Sequence, residues 1–552
     1  MFIRTIQQVN GKVSVLIVEN IRVSGKPHQK KIRHVATVPP EEVEMFKKVA
    51  EVIKTEIENE RGAQLKSAKT LSEIISSSRK IKNNKSLQVD LCKMSEEHRI
   101  VTGIHDIYGS LYDKISFAEV FKSCPKSEKI LKAIVMARIA KPCSKRSSCE
   151  LLRKDFGINI PLIKIYRMMD KFTDERILQI QEICWQYSKT LLKEIKVMFY
   201  DCTTLYFESF TEDELRKFGF SKDHKFNQGQ ILLALMVTQE GLPVGYEIFP
   251  GNVNEGKTFK QAINKIKNRY VVDKVVFVAD SGLLSQENME LLERGGYDYI
   301  LGARLKSLSK DWQDKVLGRT EYMKLEREDD KLQITTFKYN KTRTLIVTYS
   351  TKRAEKDQRD REKAIDKLLQ KLEKSKKPES LISNYGYKKF ITINGDINMS
   401  INHEKLEKEA LWDGLSGTFT NISSTTMKVE EIIAQYHGLW QVEESFRINK
   451  HDLRMRPIFH WNANRIRAHI TICFIAFALI RFLQHKIKLK LKESMSAERI
   501  KRELYAIQES ILIDMTNNER YIIPSKPSNE SIKIYNVMNK QKDVIPFKLK
   551  TK

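Results

Sequence analysis

The sequence predicts an α/β protein of several domains, with a mixed β-sheet flanked by helices near its centre. Between residues 196 and 305 the hydrophobic pattern gives three consecutive strands and then alternating helices and strands, in the order β-β-β-α-β-α-β. Hairpin-joined strands pair antiparallel and helix-joined strands pair parallel, so this order predicts a mixed sheet with helices on its faces. One hydrophobic core rarely exceeds about 250 to 300 residues, so the chain of 552 residues predicts two to four domains.

The hydrophobic patterns divide the chain into five regions. They are an N-terminal β-hairpin and helix region at 1–90, a helical region at 91–195, a central α/β domain at 196–305 and 412–490, a β-rich insertion at 306–411, and a basic C-terminal tail at 491–552. Turns at Asn10-Gly11 and Ser24-Gly25 and a polar linker at 77–86 are predicted within the first region. The tail has little apolar patterning and is predicted to be peripheral.

The helical region contains a helix, a break at Pro142 and a second, basic helix. This pattern fits a DNA-reading helix-turn-helix and a plain helical bundle with solvated cations equally well. In the first interpretation Lys141, Lys145 and Arg146 lie where phosphate contacts are expected. No residue in this region indicates a contact to a base edge.

The charge balance points to a polyanionic partner. Lysine and arginine exceed aspartate and glutamate by 97 to 70, a net charge of +27, which favours nucleic acid over a merely soluble basic protein. The seven cysteines form no C-x-x-C pair and predict neither a disulfide framework nor a zinc ribbon. The N-terminus lacks a signal-peptide core, and the most apolar stretch, Ile470 to Ile480, is too short to span a bilayer. We therefore expect a cytoplasmic protein with a buried core helix and no membrane partner.

Two aspartates follow apolar strands. Asp201 comes after Val197–Tyr200, and Asp280 comes after Val275–Ala279. A single aspartate at a strand end is more often a turn or cap residue. If the first and fourth strands are neighbours, however, two carboxylates about 4 Å apart repel by roughly 4 kcal/mol at an effective dielectric of 20, and a divalent cation reverses that sign. The pair therefore predicts Mg²⁺ or Mn²⁺, which prefer hard oxygen ligands.

A third acidic residue lies on a predicted helix around YHGLWQVEESFRINK. Tyr436, Glu443 and Lys450 recur every seven residues, which brings them within about 20° of one face. Glu443 is the predicted ligand, and Glu444, about 100° away, is the alternative. The helix is also compatible with an ordinary solvated face in which Glu443 pairs with Arg447.

These segments resemble the DDE transposases of bacterial insertion sequences. The closest pattern is the branch (IS4-like or IS1634-like) whose signature is Tyr, two residues, Arg, three residues, Glu, six residues, Lys. Tyr436, Glu443 and Lys450 match that register, while Leu439 stands in place of the arginine. The runs YDCTTLYFES, SKDHKFNQGQILLAL, VFVADSGLLS and WDGLSGTFTN also look like this family. The resemblance implies an RNase H-like catalytic core with a β-rich insertion between the second aspartate and the glutamate.

The resemblance further implies a DNA transposase that cuts and joins DNA at the ends of an insertion sequence. Asp201, Asp280 and Glu443 would hold two Mg²⁺ or Mn²⁺ ions, with Asp201 shared between them. The residues expected to contact DNA are Tyr436, Arg447, Lys450, Lys145 and Trp440. Trp412 and Trp440 are candidates for stacking on an unpaired base, although burial in the core is the commoner fate of each.

The expected partners are double-stranded DNA with terminal inverted repeats, target DNA, and a second copy of the chain in a dimer on DNA. Three other functions stay open. They are a nuclease on the same fold, a catalytically silent DNA-binding relative, and a structural protein of the bacterial nucleoid. The presence of all three carboxylates together with Tyr436 and Lys450 disfavours the silent relative, and the expected burial of carboxylates disfavours the nucleoid protein.

Overall fold

The computed structural model describes most of the chain. The residues outside the description are 9–10, 24–25, 52, 55–88, 209–210, 220–226, 270–274, 328–329, 375–389, 395–397 and 550–552. The predicted linker at 77–86 and the predicted turn at Ser24-Gly25 therefore lie outside the described residues.

The described residues form four β-sheets and a series of helices. The strands are β1 Phe2–Gln7, β2 Val13–Val23, β3 Lys26–Val38, β4 Met94–Val101, β5 Val197–Tyr206, β6 Gln230–Thr238, β7 Pro243–Pro250, β8 Val276–Ala279, β9 Asp298–Ala303, β10 Met323–Arg327, β11 Asp330–Lys338, β12 Thr344–Ser350, β13 Ile391–Asn394, β14 Asn398–Ile401, β15 Leu415–Thr420, β16 Gln508–Asp514, β17 Arg520–Pro524 and β18 Phe547–Leu549. The α-helices are α1 Ser110–Ile115, α2 Pro125–Ala140, α3 Lys145–Phe156, α4 Leu162–Met169, α5 Asp174–Leu192, α6 Glu255–Arg269, α7 Gln286–Arg294, α8 Lys310–Leu317, α9 Thr351–Lys374, α10 His403–Ala410, α11 Val429–His437, α12 Trp440–Arg447, α13 Ala463–Leu491, α14 Ala497–Tyr505 and α15 Asn529–Val537.

A nine-stranded mixed sheet is the centre of the fold. Its strand order is β10-β11-β12-β15-β9-β8-β5-β6-β7. The hairpin β6–β7 and strand β5 pair antiparallel, whereas β8 pairs parallel with both β5 and β9. This mixed α/β arrangement confirms the predicted fold class, because the order β-β-β-α-β-α-β is formed as the hydrophobic pattern indicates.

The two faces of this sheet are covered by different helices, and side chains alternate between them along each strand. Met198 and Tyr200 of β5 pack on one face with Phe259 of α6 and Leu292 of α7. Val197 and Phe199 lie on the other face, within the larger core that includes α11, α12, α13 and the helices of the region 105–192. Residues that follow Phe199 with the same parity therefore face the side that α11 and α12 cover.

The β-rich insertion is built partly onto the central sheet. Its strands β10, β11 and β12 are not a separate layer, because β12 pairs antiparallel with β15 and so continues the central sheet by three strands. Only the hairpin β13–β14 stands apart among the described strands of this segment. The alternating pattern of residues 331–350 identified β11 and β12 but not β10, and hydrogen-bond partners across a long insertion leave no trace in a local pattern.

The C-terminal segment folds, contrary to its prediction as a peripheral tail. Strand β16 pairs with β4 and β17, and β18 completes a four-stranded sheet. Ile511 and Ile522 are 2% and 0% exposed in its core. Residues 94–101, predicted as part of the helical region, are the partner strand. The sheet joins segments more than 400 residues apart, so neither half reveals it alone.

Two helical predictions are refined. The helical region from 427 to 484 consists of α11, α12, a π-helical turn at Ile448–Asp452 and the first part of α13. Helix α13 is long and apolar enough to cross a membrane, but 89% of its most apolar window is buried inside the fold. It is therefore the core helix predicted around Ile470 to Ile480.

Candidate active site

Asp201 and Asp280 are at equivalent positions on neighbouring parallel strands. The register of β5 with β8 pairs Val197 with Val276 and ends with Tyr200 opposite Ala279. Asp201 directly follows Tyr200, and Asp280 directly follows Ala279. Neighbouring strands lie about 4.8 Å apart, so the two carboxylates emerge side by side. The adjacency of the first and fourth strands, which was the condition for the predicted metal site, is thus present.

Both aspartates lie on the face of the sheet that α11 and α12 cover. Val197 and Phe199 precede Asp201 with the same parity, and Val276 and Val278 precede Asp280 in the same way; all four belong to the core on that face. Each carboxylate accepts a hydrogen bond from the following backbone N–H, at 2.7 Å from Cys202 and 2.6 Å from Ser281. Asp201 is half-buried and Asp280 is exposed.

The Tyr436 side chain of α11 reaches the carboxyl end of β8 and β9 because β9 carries a glycine at that point. A Cβ at Gly302 would lie 2.3 Å from the Tyr436 hydroxyl and 2.8 Å from the Ser281 nitrogen, so only glycine leaves space for the phenol. Burial, together with the negative charges of Asp280 and Glu443, raises the pKa of Tyr436 to about 12. The phenol therefore lies within electrostatic reach of two of the three predicted carboxylates.

Helix α12 lies over β5 and carries Glu443. Val442 and Phe446 are buried under it, and a Cβ at Gly438, just before the helix, would lie 2.6 Å from the Phe199 ring. Gly438 thus sets a close approach of the helix to the strand that bears Asp201. Glu443 lies on the exposed side of α12.

Glu444 has a different role from Glu443. It binds the guanidinium of Arg447 with two hydrogen bonds of 2.6 and 2.7 Å, and Asp452 binds the same guanidinium at 3.3 Å. The Arg447 side chain lowers the pKa of Glu444. The expected ion pair on this helix is therefore formed, but by Glu444 at i,i+3 and not by Glu443 at i,i+4.

The other residues predicted to contact DNA divide into surface and interior positions. Trp440 is 56% exposed, so the expectation that it is buried in the core is wrong. Trp412 is partly buried against the core. Lys450 is half-buried in the π-helical turn. Leu439, the departure from the resemblance, packs against the core, which explains why an apolar side chain suits that position.

Lys145 is in the interior, and its prediction as a DNA contact is corrected. Its side chain is 4% exposed, and its amine lies 3.2 Å from His469 Nδ1. Burial and the nearby Arg138 lower the pKa of Lys145 to about 7. Lys141 and Arg146, the other two predicted cations, are exposed on either side of it.

A cleft of about 490 Å³ opens beside Asp280, and the sequence interpretation missed its cations. Asp280, Tyr436 and Trp412 line it together with the exposed side chains of Arg304 and Arg353. Arg304 directly follows β9 as Asp280 follows β8, so its strand-end position was a signal available in the sequence. Arg353 is at the start of a highly charged helix, where no pattern distinguishes it from its neighbours.

The carboxylate chemistry fits a hard divalent cation, since two aspartates emerge together and a glutamate lies on the helix above their strand. Among the residues that the structure describes, however, no three His, Cys, Asp or Glu side chains are already grouped as a metal site. Asp201 and Asp280 are brought together, and Glu443 completes the set only through a further approach of its side chain.

Comparison with known proteins gives a family match and several distant structures. Residues 193–479, just over half of the chain, match the family described as the transposase DDE domain. No curated protein matches the chain. Similar solved structures include a piggyBac transposase synaptic complex with hairpin DNA, at 10% identity and a TM-score of 0.36 over 73% of this chain and 76% of that one. Another is a Mos1 transposase paired-end complex with the left transposon end, at 11% identity and a TM-score of 0.15 over 39% and 61% of the two chains.

Proposed function

We propose that this chain, which belongs to the transposase DDE domain family, cleaves DNA at the ends of a mobile element and joins those ends to target DNA. The observation that carries the proposal is the side-by-side position of Asp201, within β5, and Asp280, directly after the parallel strand β8, with Tyr436 lining the same cleft as Asp280. The Tyr–Glu–Lys register around Glu443 supports the insertion-sequence branch with the Tyr–Arg–Glu–Lys signature.

Asp201, Asp280 and Glu443 are the residues that would hold Mg²⁺ or Mn²⁺, with two ions as the expected number. When bound, such ions activate the attacking oxygen and stabilise the leaving oxygen of a phosphodiester. Glu443 fits this role better than Glu444, because Arg447 occupies the Glu444 carboxylate. Glu443 instead lies exposed on the helix over β5.

The surrounding residues would hold the DNA strand. Arg304 and Arg353 present cations in the cleft beside Asp280, where they would bind phosphates next to the cleaved bond. Tyr436 is neutral at physiological pH, as tyrosines ordinarily are, and its raised pKa of about 12 extends this to alkaline pH, so it would donate a hydrogen bond to a phosphate oxygen. Trp440, exposed at the start of α12, and Trp412 in the cleft offer faces for base stacking.

The Arg447 side chain contributes differently from its prediction. Its pairing with Glu444 and Asp452 supports a role in fixing the turn between α12 and the π-helical segment that carries Lys450. Lys450 remains the proposed phosphate ligand of this segment. The partners we propose are the terminal inverted repeats, the target DNA and a second copy of the chain, in the bacterial cytoplasm.

A strand-transfer assay tests the proposal. Two duplex oligonucleotides that carry the ends of the element, a supercoiled target plasmid and Mg²⁺ are incubated with the protein. We expect nicking at the element ends and joined products. Asp201→Ala, Asp280→Ala and Glu443→Ala should each lose both activities, while Asp298→Asn, a matched aspartate at the opposite end of β9, should keep them.

The outcomes separate the alternatives. Ends that are released but never joined identify a nuclease on the same fold. Specific binding with no cleavage by the wild type identifies a silent DNA-binding relative. Cleavage by all three alanine variants at the wild-type rate refutes the proposed site.

A further inference from the structure

The guanidinium of Arg481 joins three parts of the central domain that are distant in sequence. From α13 it donates to the carbonyls of Gly241 at 2.9 Å and Glu240 at 3.0 Å, in the turn between β6 and β7. It also donates to Gln441 Oε1 at 2.8 Å, on α12. A fourth bond, to Gln484 Oε1 at 3.3 Å, holds it to its own helix. The side chain therefore ties the hairpin to α12.

The turn is shaped to receive this guanidinium. Gly241 has a φ of +73°, in the left-handed region, and a Cβ there would lie 1.9 Å from Arg481 Nη2 and 2.6 Å from Gln441 Oε1. Any side chain at this position would therefore expel the arginine. The backbone conformation of the turn and the arginine are matched to each other.

Placing a charged Arg481 here costs solvation energy, because the groups that accept its hydrogen bonds are carbonyl and amide oxygens and not a carboxylate. Burial lowers the pKa of Arg481 to about 10. The planar fork of an arginine satisfies acceptors in three directions at once, which the single ammonium of a lysine cannot do in the same geometry. A half-buried charge held by this many hydrogen bonds indicates that the junction itself matters.

The junction controls the helix that carries Glu443. Gln441 lies two residues before Glu443 in the first turn of α12, and Gly438 rests on Phe199 just before that turn. These contacts fix the start of the helix to β5 and to the β6–β7 turn. Rotation of α12 about its axis would turn Glu443 away from the part of the sheet where Asp201 and Asp280 emerge.

We propose that Arg481 is a positioning residue that directs Glu443 toward the two aspartates by holding Gln441 on the β6–β7 turn. This inference rests on the proposed metal role of Glu443. It predicts that loss of the junction weakens metal binding while the fold persists, since residues that orient metal ligands typically change metal affinity by about 10- to 100-fold.

The test measures Mn²⁺ binding to the full chain without DNA, from the electron paramagnetic resonance signal of unbound Mn²⁺. Arg481→Lys should raise the dissociation constant at least about tenfold. Arg467→Lys is the matched control, because Arg467 is on the same helix and its side chain pairs with Asp174 at the surface. Gln441→Met, which removes the acceptor and keeps the helix, should reproduce the effect if Arg481→Lys is poorly folded.

The combined variants separate positioning from general destabilisation. Arg481→Lys with Gln441→Met should bind Mn²⁺ no more weakly than the more affected single variant, because both changes break one junction. Multiplicative effects, or wild-type affinity in Arg481→Lys, overturn the positioning role. If Asp201→Ala abolishes Mn²⁺ binding while Arg481→Lys does not weaken it, only this inference fails. If Asp201→Ala leaves binding unchanged, the proposed metal site fails and takes this inference with it.

Discussion

Glu444 holds the guanidinium of Arg447 through two hydrogen bonds, and Glu443, one residue earlier, does not take part in that pair. Adjacent residues on a helix point about 100° apart, so neighbouring glutamates meet different surroundings. One is committed to an ion pair, and the other lies exposed on the helix above β5. This difference gives a direct way to tell a structural carboxylate from a metal ligand.

We predict that Glu443→Gln impairs cleavage and not stability, and that Glu444→Gln impairs stability and not cleavage. Glu443→Gln should lower the cleavage rate by at least about 10³-fold with little change in melting temperature, because it removes a proposed metal ligand. Glu444→Gln should cost about 1 kcal/mol of stability by breaking a partly exposed pair and should leave cleavage within a few-fold. The measurements are cleavage of a labelled end duplex and thermal unfolding. The reverse pattern would make Glu444 the ligand.

The interior position of Lys145 predicts which basic residues bind DNA in the helical region. Each phosphate contact contributes about 0.9 to the slope of log affinity against log salt concentration. Lys141, just before the break, and Arg146, in the first turn of α3, are both exposed. If this region binds DNA, Lys141→Ala and Arg146→Ala should each reduce that slope by about 1. Lys145→Met should leave it unchanged. The slope is measured by fluorescence anisotropy between 50 and 300 mM KCl. An unchanged slope in both surface variants would favour the plain helical bundle.

The sequence carried more information about Lys145 than its charge. Lys145, Ser148, Leu152 and Phe156 recur at helical spacing and are all buried, so the lysine belongs to the apolar face of α3. The prediction of a DNA contact followed the charge and overlooked the spacing. The strands before Asp201 and Asp280 were identified because a buried strand leaves a strong local pattern, whereas their pairing entered the prediction only as a condition.

Other features had no local pattern to reveal them. Strand β4 has its partner β16 more than 400 residues later, and the ion pairs that secure the C-terminal segment join equally distant residues. The break between α11 and α12 at Gly438 depends on a packing contact, because a Cβ there would lie 2.6 Å from the Phe199 ring. Long-range pairing and helix breaks of this kind are decided by packing.

Lys145 also predicts a dependence of stability on pH. Its pKa is about 7 in the folded protein and near its ordinary 10.5 when unfolded. Between these values the unfolded chain binds a proton that the folded chain does not, so stability rises with pH from about 7 to 10.5. Below pH 7 the penalty for burial is complete. Lys145→Met removes this titration.

The expected difference is measurable, because each pKa unit corresponds to about 1.4 kcal/mol. The gain in unfolding free energy between pH 7.5 and pH 9.5 should be smaller in Lys145→Met than in the wild type by more than about 1 kcal/mol. Arg146→Met, at the exposed neighbouring position, is the control and should match the wild type. Equal gains in all three proteins would show that Lys145 titrates normally.

Lys542 links the C-terminal segment to the rest of the fold through a buried ion pair. It is 4% exposed and lies 2.8 Å from Glu509, which is 0% exposed, and 3.2 Å from Asp106. Removing one partner of a buried pair leaves an uncompensated charge and costs about 3 to 5 kcal/mol. Lys542→Met should therefore open the sheet β18-β17-β16-β4, seen as lost hydrogen-exchange protection of the β16 amides.

The double variant Lys542→Met, Glu509→Leu distinguishes a cost of charge from a loss of packing. Replacing Lys542 and Glu509 with apolar side chains removes the two buried charges and leaves Asp106, which is 23% exposed and accepts a hydrogen bond from Tyr535, so protection of β16 should return to within about 1 kcal/mol of the wild type. Lys548→Met is the control, because its pair with Glu519 is on the surface of the same sheet and should contribute less than about 1 kcal/mol. If Lys542→Met alone leaves β16 protected, the C-terminal segment is held by its apolar contacts and the buried pair is dispensable.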